Sequence, residues 1–359
     1  MSAAIADQLP DAAGEAHHAG DVVLDIKDLT VAFPTEEGVV RAVSNLSYQA
    51  RLGRTLAIVG ESGSGKSVSS MAVLGLHNMK RTRITGSIKL DGEELVGAPQ
   101  STFQRIRSQQ VAMVFQDPQS SLHPFYKIGD QIAEAYRTHH KVAKSVARAR
   151  AVEMLDRVGI PNPQRRAKQY PHEFSGGMRQ RAMIALGLVN NPKLLIADEP
   201  TTALDVTVQA QILDLINDLR KEFGSGVILI THDLAVVAET ADDIVVMYAG
   251  RAVEKGAAKE VLAQPSHPYT YGLLQSLPSP TEEQSELKAI QGAPPSLLAL
   301  PPGCSFHPRC TFKELVGERC WTEVPEWRDA PGLTNRVIRC HLEDPVGVLH
   351  ADEEAHHHG

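Results

Sequence analysis

Hydrophobic positions along this chain gather into short dense runs. Thr55-Leu56-Ala57-Ile58-Val59, Val111-Ala112-Met113-Val114-Phe115, Leu195-Ile196-Ala197 and Val227-Ile228-Leu229-Ile230 are apolar at nearly every position. Such runs suit strands of a parallel sheet covered on both faces. Longer segments carry apolar residues at helical intervals: Val68 to Leu76, Ile128 to His139, Met183 to Val189, and Val142 to Val158, where Val146, Val152, Leu155 and Val158 mark the stripe. The stretch from Val22 to Lys89 reads as rich in strands. Together the runs predict an α/β protein with a mixed sheet core and an inserted helical segment. No run of 18 apolar residues occurs, so no membrane-spanning helix is expected.

The turns between these elements carry the chemistry. The strand at Thr55–Val59 ends at Gly60-Glu61-Ser62-Gly63-Ser64-Gly65-Lys66-Ser67, with the spacing of a phosphate-binding loop. There Gly60, Gly63 and Gly65, with Ser62 between them, let backbone N–H groups curl round phosphate oxygens. Lys66 reaches the β- and γ-phosphates and the Ser67 hydroxyl binds Mg²⁺. The helix after the loop turns its positive end toward the anion. Phe174-Ser175-Gly176-Gly177-Met178-Arg179-Gln180-Arg181 precedes the second apolar helical run, and a serine before two glycines is also what a plain helix cap would use. Eighteen residues after Gly177, Leu195-Ile196-Ala197-Asp198-Glu199-Pro200 sets two carboxylates at a strand's C-terminal end, where ligand sites of α/β sheets lie.

These segments, in this order, resemble the ATP-binding cassette (ABC) proteins. The resemblance implies a P-loop NTPase of the ABC type, with Ser175-Gly176-Gly177 as the signature motif, carrying Phe for Leu and Met for Gln. It implies that Asp198 holds Mg²⁺ through water and that Glu199, in Walker B, is the general base. Gln116, at the end of the run from Val111, resembles the Q-loop glutamine that senses Mg²⁺ and the γ-phosphate. His232, after Val227-Ile228-Leu229-Ile230-Thr231, is the switch histidine, and Asp205 in Thr201-Thr202-Ala203-Leu204-Asp205 belongs to the D-loop, contacting the opposite subunit. Phe33 stands where the family stacks an aromatic ring on adenine. In that family the signature serine and glycines donate to the γ-phosphate held by another subunit, so the resemblance implies that ATP glues a head-to-tail dimer. With one copy of each motif, the chain must pair with itself or with a homologue.

Composition narrows the partners. The 359 residues suggest about two domains, and a net charge of −7 gives no electrostatic footprint for nucleic acid. Residues 1–20 are alanine-rich and mildly acidic and read as a disordered tail rather than a signal peptide, so a cytosolic chain is expected. No role is assigned to His356-His357-His358. The cassette is expected over residues 21–265, with a helical subdomain at about 117–190. That subdomain and the segment Gln116-Asp117-Pro118 with Ser121-Leu122-His123-Pro124 resemble the groove that grips a coupling helix of a membrane subunit, although relatives commonly carry asparagine where His123 stands.

The last quarter selects a subfamily. Ser266-His267-Pro268-Tyr269-Thr270 leads to a linker with Pro278, Pro280, Pro294, Pro295, Pro301 and Pro302, then to Gly303-Cys304-Ser305-Phe306-His307-Pro308-Arg309-Cys310. This resembles the C-terminal extension, here residues 266–345 before a flexible tail at 346–359, of ATPase subunits from bacterial dipeptide, oligopeptide and nickel importers. All four cysteines, Cys304, Cys310, Cys320 and Cys340, fall within it as C-x5-C-x9-C-x19-C. A disulfide framework is not expected in a reduced cytosol, and zinc usually brings a C-x2-4-C knuckle that is missing here. Some relatives with this pattern carry a [4Fe-4S] cluster, which four thiolates can ligate; zinc and four unmetallated structural cysteines stay open. The resemblance implies an energy-coupling ATPase peripheral to the cytoplasmic face of the plasma membrane. It would form a heterodimer with a homologous ATPase under two permease subunits, fed by an extracytoplasmic peptide-binding protein. An importer of nickel or another solute, an exporter ATPase and a soluble ABC protein acting on ribosomes or DNA are the competing readings.

Overall fold

A computed structural model describes residues 20–117, 121–202, 204–276 and 289–357. The expected N-terminal tail up to residue 19, Pro118, Ala203, Pro278, Pro280 and His358 lie outside the described residues. The strands are β1 (Val22–Thr35), β2 (Gly38–Arg51), β3 (Thr55–Val59), β4 (Arg83–Leu90), β5 (Glu93–Glu94), β6 (Val111–Val114), β7 (Leu194–Asp198), β8 (Gly226–Thr231), β9 (Asp243–Tyr248), β10 (Arg251–Ala257), β11 (Arg328–Asp329) and β12 (Val337–Ile338). The chain forms two compact units. One comprises the residues up to Leu24, Ala50–Arg54 and Ala98–Ile228, and the other comprises Asp25–Gln49, Thr55–Gly97 and everything from Leu229 on.

The second unit holds the phosphate-loop sequence, so we call it the cradle unit. Within it β3 and β9 run parallel, with Ala57 opposite Ile244 and Val59 opposite Val246. β10 returns antiparallel to β9 with a bulge between Ala252 and Glu254. β12 pairs antiparallel to β10, Glu254 opposite Ile338, and β11 to β12. All five residues of β3 are buried, as its unbroken apolar run requires. Ala57 and Val59 share one core with Val246, Tyr248, Tyr269 and Phe306. That core joins the phosphate-loop strand to the extension.

The other unit is mostly helical beside the parallel pair β6 and β7. Its helices include Ile128–His139, Lys144–Arg157, Gly176–Leu188 and Val206–Phe223. The first has the expected bounds and buries Ile128, Ile132, Ala133 and Tyr136 on one face. Lys144–Arg157 buries Ala147, Arg150, Ala151, Met154 and Leu155, with Val158 buried just beyond it, so Leu155 and Val158 of the predicted stripe are in the core while Val146 and Val152 are only half-buried. Small alanines let this helix approach its neighbours closely, which a count of bulky residues misses. The helix expected from Met183 begins at Gly176, because Ser175 caps it ahead of two glycines of poor helix propensity.

The flexible tail expected at residues 346–359 is corrected as far as residue 357. Pro345–His357 is a helix, started by a proline at its N-terminus. Leu349 is buried with Phe312 and Leu342, and the Tyr271 hydroxyl donates to Asp352 at 3.0 Å.

Candidate functional sites

In the cradle unit the loop after β3 is shaped by close backbone approach. Gly60 has φ +150° and Gly65 φ +97°, and a Cβ added at either would run into a carbonyl oxygen, that of Met247 or of Ala42. No other residue fits these two positions. Gly65 then caps the helix Lys66–Val73, whose first two residues are Lys66 and Ser67. Lys66 is 5% exposed, and its Nζ donates to the carbonyls of Gly60 (2.7 Å) and Glu61 (3.0 Å). Phe33, half-buried on β1, meets the His77 ring edge-on at 5.5 Å. His232 is exposed just beyond β8, and the next residue, Asp233, caps the helix Leu234–Thr240 through Ala235 N at 2.9 Å.

A cavity of about 310 Å³ lies beside the loop, lined by Glu61, Ser62, Gly63 and Ser64 on one side and by Pro294 to Leu298 on the other. The proline-rich linker thus covers one flank of the phosphate loop.

The helical unit carries the carboxylates. Asp198 is buried at the end of β7, and Glu199 follows with φ +47°, a left-handed conformation rarely adopted outside glycine and asparagine. Two groups fix the Glu199 side chain: Gln116 Nε2 and Thr202 Oγ1 each donate to its Oε2 at 3.0 Å. Ser175 Oγ accepts from Met178 N at 3.3 Å. A Cβ on Gly177 would come within 2.9 Å of Val208 Cγ1. Val208 N in turn donates at 2.9 Å to Asp205, the cap of the helix Val206–Phe223. The signature glycines and Asp205 are therefore neighbours. The predicted set divides between the units, with Phe33, Gly60 to Ser67 and His232 in one, and Gln116, Ser175 to Gly177, Asp198, Glu199 and Asp205 in the other.

On the same unit Gln131 clamps the segment after the glutamine loop, accepting from His123 N (2.9 Å) and donating to the carbonyls of His123 (3.0 Å) and Tyr126 (2.9 Å). The clamp presents two strongly exposed aromatics, Phe125 and Tyr126, which the sequence reading had passed over.

The four cysteines converge in the cradle unit. Cys304, Cys310, Cys320 and Cys340 line one cavity of about 10 Å³, together with Phe306 and Phe312. All four are free thiols. Burial pushes each thiol upward, Cys310 and Cys340 to about 12, so they are protonated at neutral pH. Among the described residues no three His, Cys, Asp or Glu side chains are arranged to hold a single metal ion. Tetrahedral zinc, which needs thiolates at about 2.3 Å, does not match this arrangement. For a cluster the donor set is right in number and kind, whereas the space now holds about one water-sized sphere.

Sequence reasoning missed the polar contacts around the extension. Arg309, in the cysteine segment, forms a bidentate pair with Glu61 of the phosphate loop at 2.7 and 2.9 Å. Glu254 and Arg336 make a fully buried pair at 2.6 Å. The signal for the first was a charged residue inside each of two recognised motifs, but nothing in the sequence tied the two together.

Comparison with known proteins matches residues 43–202 to the family model described as ABC transporter, and residues 253–316 to one described as Oligopeptide/dipeptide transporter, C-terminal region. The chain is 50% identical over 302 residues to the Oligopeptide transport ATP-binding protein OppD of Salmonella typhimurium, covering 84% of this chain and 90% of that one. It is 50% identical over 292 residues to its namesake in Bacillus subtilis, covering 81% and 82%. Among solved structures it resembles a dimeric ATP-binding cassette in a post-hydrolysis state bound to ADP and Pi, with TM-score 0.59 and 26% identity over 66% of this chain and 99% of that one. The fold is that of ABC ATPase cassettes.

Proposed function

Because this chain belongs to the ABC transporter ATP-binding subunits that carry the oligopeptide/dipeptide C-terminal region, we propose the division of labour by which it powers peptide import. The chain is an ATPase subunit of an oligopeptide importer and couples hydrolysis of ATP to ADP and phosphate to transport. Cassettes of this family pair and act on membrane permease subunits.

We assign phosphate binding to the amides from Gly60 to Gly65, with Ser62 among them, and to Lys66, and adenine stacking to Phe33. By the resemblance, Ser67 of the cradle unit, and Gln116 and Asp198 of the other unit, are each assigned to Mg²⁺, which when bound would neutralise phosphate charge. An oxygen donor set with one carboxylate suits that ion. His232 would hydrogen-bond the γ-phosphate, Ser175, Gly176 and Gly177 the γ-phosphate of the partner cassette, and Asp205 the partner itself. Glu199 would orient the attacking water and take its proton on the carboxylate. The observation that carries this reading is the bond from Gln116 to Glu199 at the end of β7. It ties the residue assigned to sensing the nucleotide to the one assigned to the chemistry.

The finer readings rest on the resemblance: a homologous second ATPase, an extracytoplasmic peptide-binding protein, and a peripheral position at the cytoplasmic face of the membrane. No helix among the described residues is long and apolar enough to cross a membrane. The exposed Phe125 and Tyr126 beside His123 support permease docking there, as aromatics are favoured at protein interfaces. A [4Fe-4S] cluster tying residues 304–340 together rests on the four-cysteine resemblance alone, because the cavity the thiols line, about 10 Å³, is too small to hold one as it stands. Anaerobically purified chain is then expected to contain iron and sulfide in equal amounts; neither element, with all four thiols titratable, leaves four structural cysteines.

The deciding experiment is ATP turnover of the chain with its permease partners in membranes, with and without peptide-loaded binding protein. A clear rise with peptide is expected. Unchanged turnover with basal hydrolysis intact would move the cargo to nickel or another solute.

A further inference from the structure

The two extension segments that the function leaves without a role, His267-Pro268-Tyr269-Thr270 and Phe306-His307-Pro308-Arg309, both end on one residue of the phosphate loop. Glu61 directly follows Gly60. Its backbone N–H donates to the Tyr269 hydroxyl at 2.9 Å, and its carboxylate takes both terminal nitrogens of Arg309. Its carbonyl accepts from Lys66. One residue thus joins the extension to the lysine that serves the phosphates.

Both grips are rigidly supported. The Arg309 side chain is 6% exposed, against 25% for Glu61. Beyond Glu61 it donates to the carbonyls of Gln291 (3.0 Å) and Ile290 (3.2 Å), and its guanidinium lies 5.8 Å from the Tyr248 ring centre. Tyr269 is 0% exposed and packs on Tyr248 and Phe306, with ring centres 4.6 and 5.4 Å apart. A planar fork on a carboxylate fixes orientation as well as charge. The pairing also has an electrostatic consequence. An unpaired carboxylate in a loop that must receive a triphosphate would repel it, and Arg309 neutralises that charge.

We infer that Arg309 and Tyr269 are positioning residues for nucleotide binding: the C-terminal extension completes the phosphate loop by holding Glu61 and cancelling its charge. This rests on the reading of Gly60 to Ser67 as the ATP site.

The test is equilibrium binding of a fluorescent ATP analogue to the full-length chain, with thermal stability followed in parallel. Arg309→Ala is expected to weaken binding about tenfold, the size of a lost charge-assisted pair. Arg309→Lys keeps the charge without the fork and falls between. Glu61→Gln removes the repulsive charge, so Arg309→Ala placed on Glu61→Gln is expected to have little further effect, a coupling that general destabilisation would not produce. If Arg309→Ala proves too unstable to assay, Arg309→Lys and Glu61→Gln, both close in size to the native residues, carry the comparison. Wild-type affinity in Arg309→Ala and Arg309→Lys, with binding lost in Lys66→Ala, overturns this inference and leaves the ATP site standing. Retained binding in Lys66→Ala overturns the site itself and the inference with it.

Discussion

Glu199 holds a backbone conformation that costs a residue with a side chain on the order of 1–3 kcal/mol, and its φ of +47° persists under two hydrogen bonds to the same carboxylate oxygen. Strain of this kind fits a group whose orientation matters more than its comfort. Glu199→Gln keeps the size and both neighbours but removes the base, so turnover is expected to fall at least about 100-fold, within the usual range for a lost general base. ATP binding should persist and trap the paired cassettes, seen as a larger species in size-exclusion chromatography with ATP. Normal hydrolysis in this variant would take the base role from Glu199. The sequence identified Gln116 and Glu199 each by its place after an apolar run. Their bond spans 83 residues, and no local pattern encodes a contact of that reach.

Elements were legible where one physical rule dominated. β3 and the helix Ile128–His139 have their predicted bounds because one is apolar throughout and the other periodic. The two-residue strands β11 and β12 are too short to show a period. Caps were the other blind spot, and His267 shows why. It precedes the helix Pro268–Gln275, where its Nδ1 accepts from Tyr269 N at 3.0 Å, so Nε2 carries the proton and donates to the Arg339 carbonyl at 3.1 Å. Histidine is not among the usual cap residues. Burial lowers its pKa from 6.5 to about 4. The folded chain therefore holds it neutral while the unfolded chain takes up a proton first as pH falls. Stability contributed by this group is complete above about pH 6.5 and declines toward pH 4, by about 3 kcal/mol in all. His267→Asn retains a cap acceptor and does not titrate. Its melting temperature is expected to fall less steeply than wild type between pH 6.5 and 4.5, and parallel curves would show that other groups govern acid lability.

At the scale of the whole molecule, the extension is built into the cradle unit. The sequence sets it apart after residue 265 on its resemblance to the C-terminal extension of peptide-importer ATPases, yet β12 pairs with β10 and Phe306 lies in the same core as Ala57 and Val59 of β3. Partners 82 residues apart, as Glu254 and Arg336 are, leave no local pattern in the sequence. The Glu254–Arg336 pair closes this junction, with side chains 0% and 1% exposed, and Glu254 also accepts from the backbone of Ser266 (2.8 Å) and His267 (3.1 Å). A buried pair contributes little net stability, but removing one partner strands a charge at a cost of about 3–5 kcal/mol. Arg336→Met is therefore expected to lower the melting temperature sharply. Because Ser266 and His267 lead directly into Tyr269, it should also weaken ATP binding. Adding Glu254→Gln removes the stranded charge and should recover a large part of both losses. Wild-type ATP binding in Arg336→Met, despite its lower melting temperature, would mean that the junction supports the fold alone, and that nucleotide affinity depends on the contacts at Glu61.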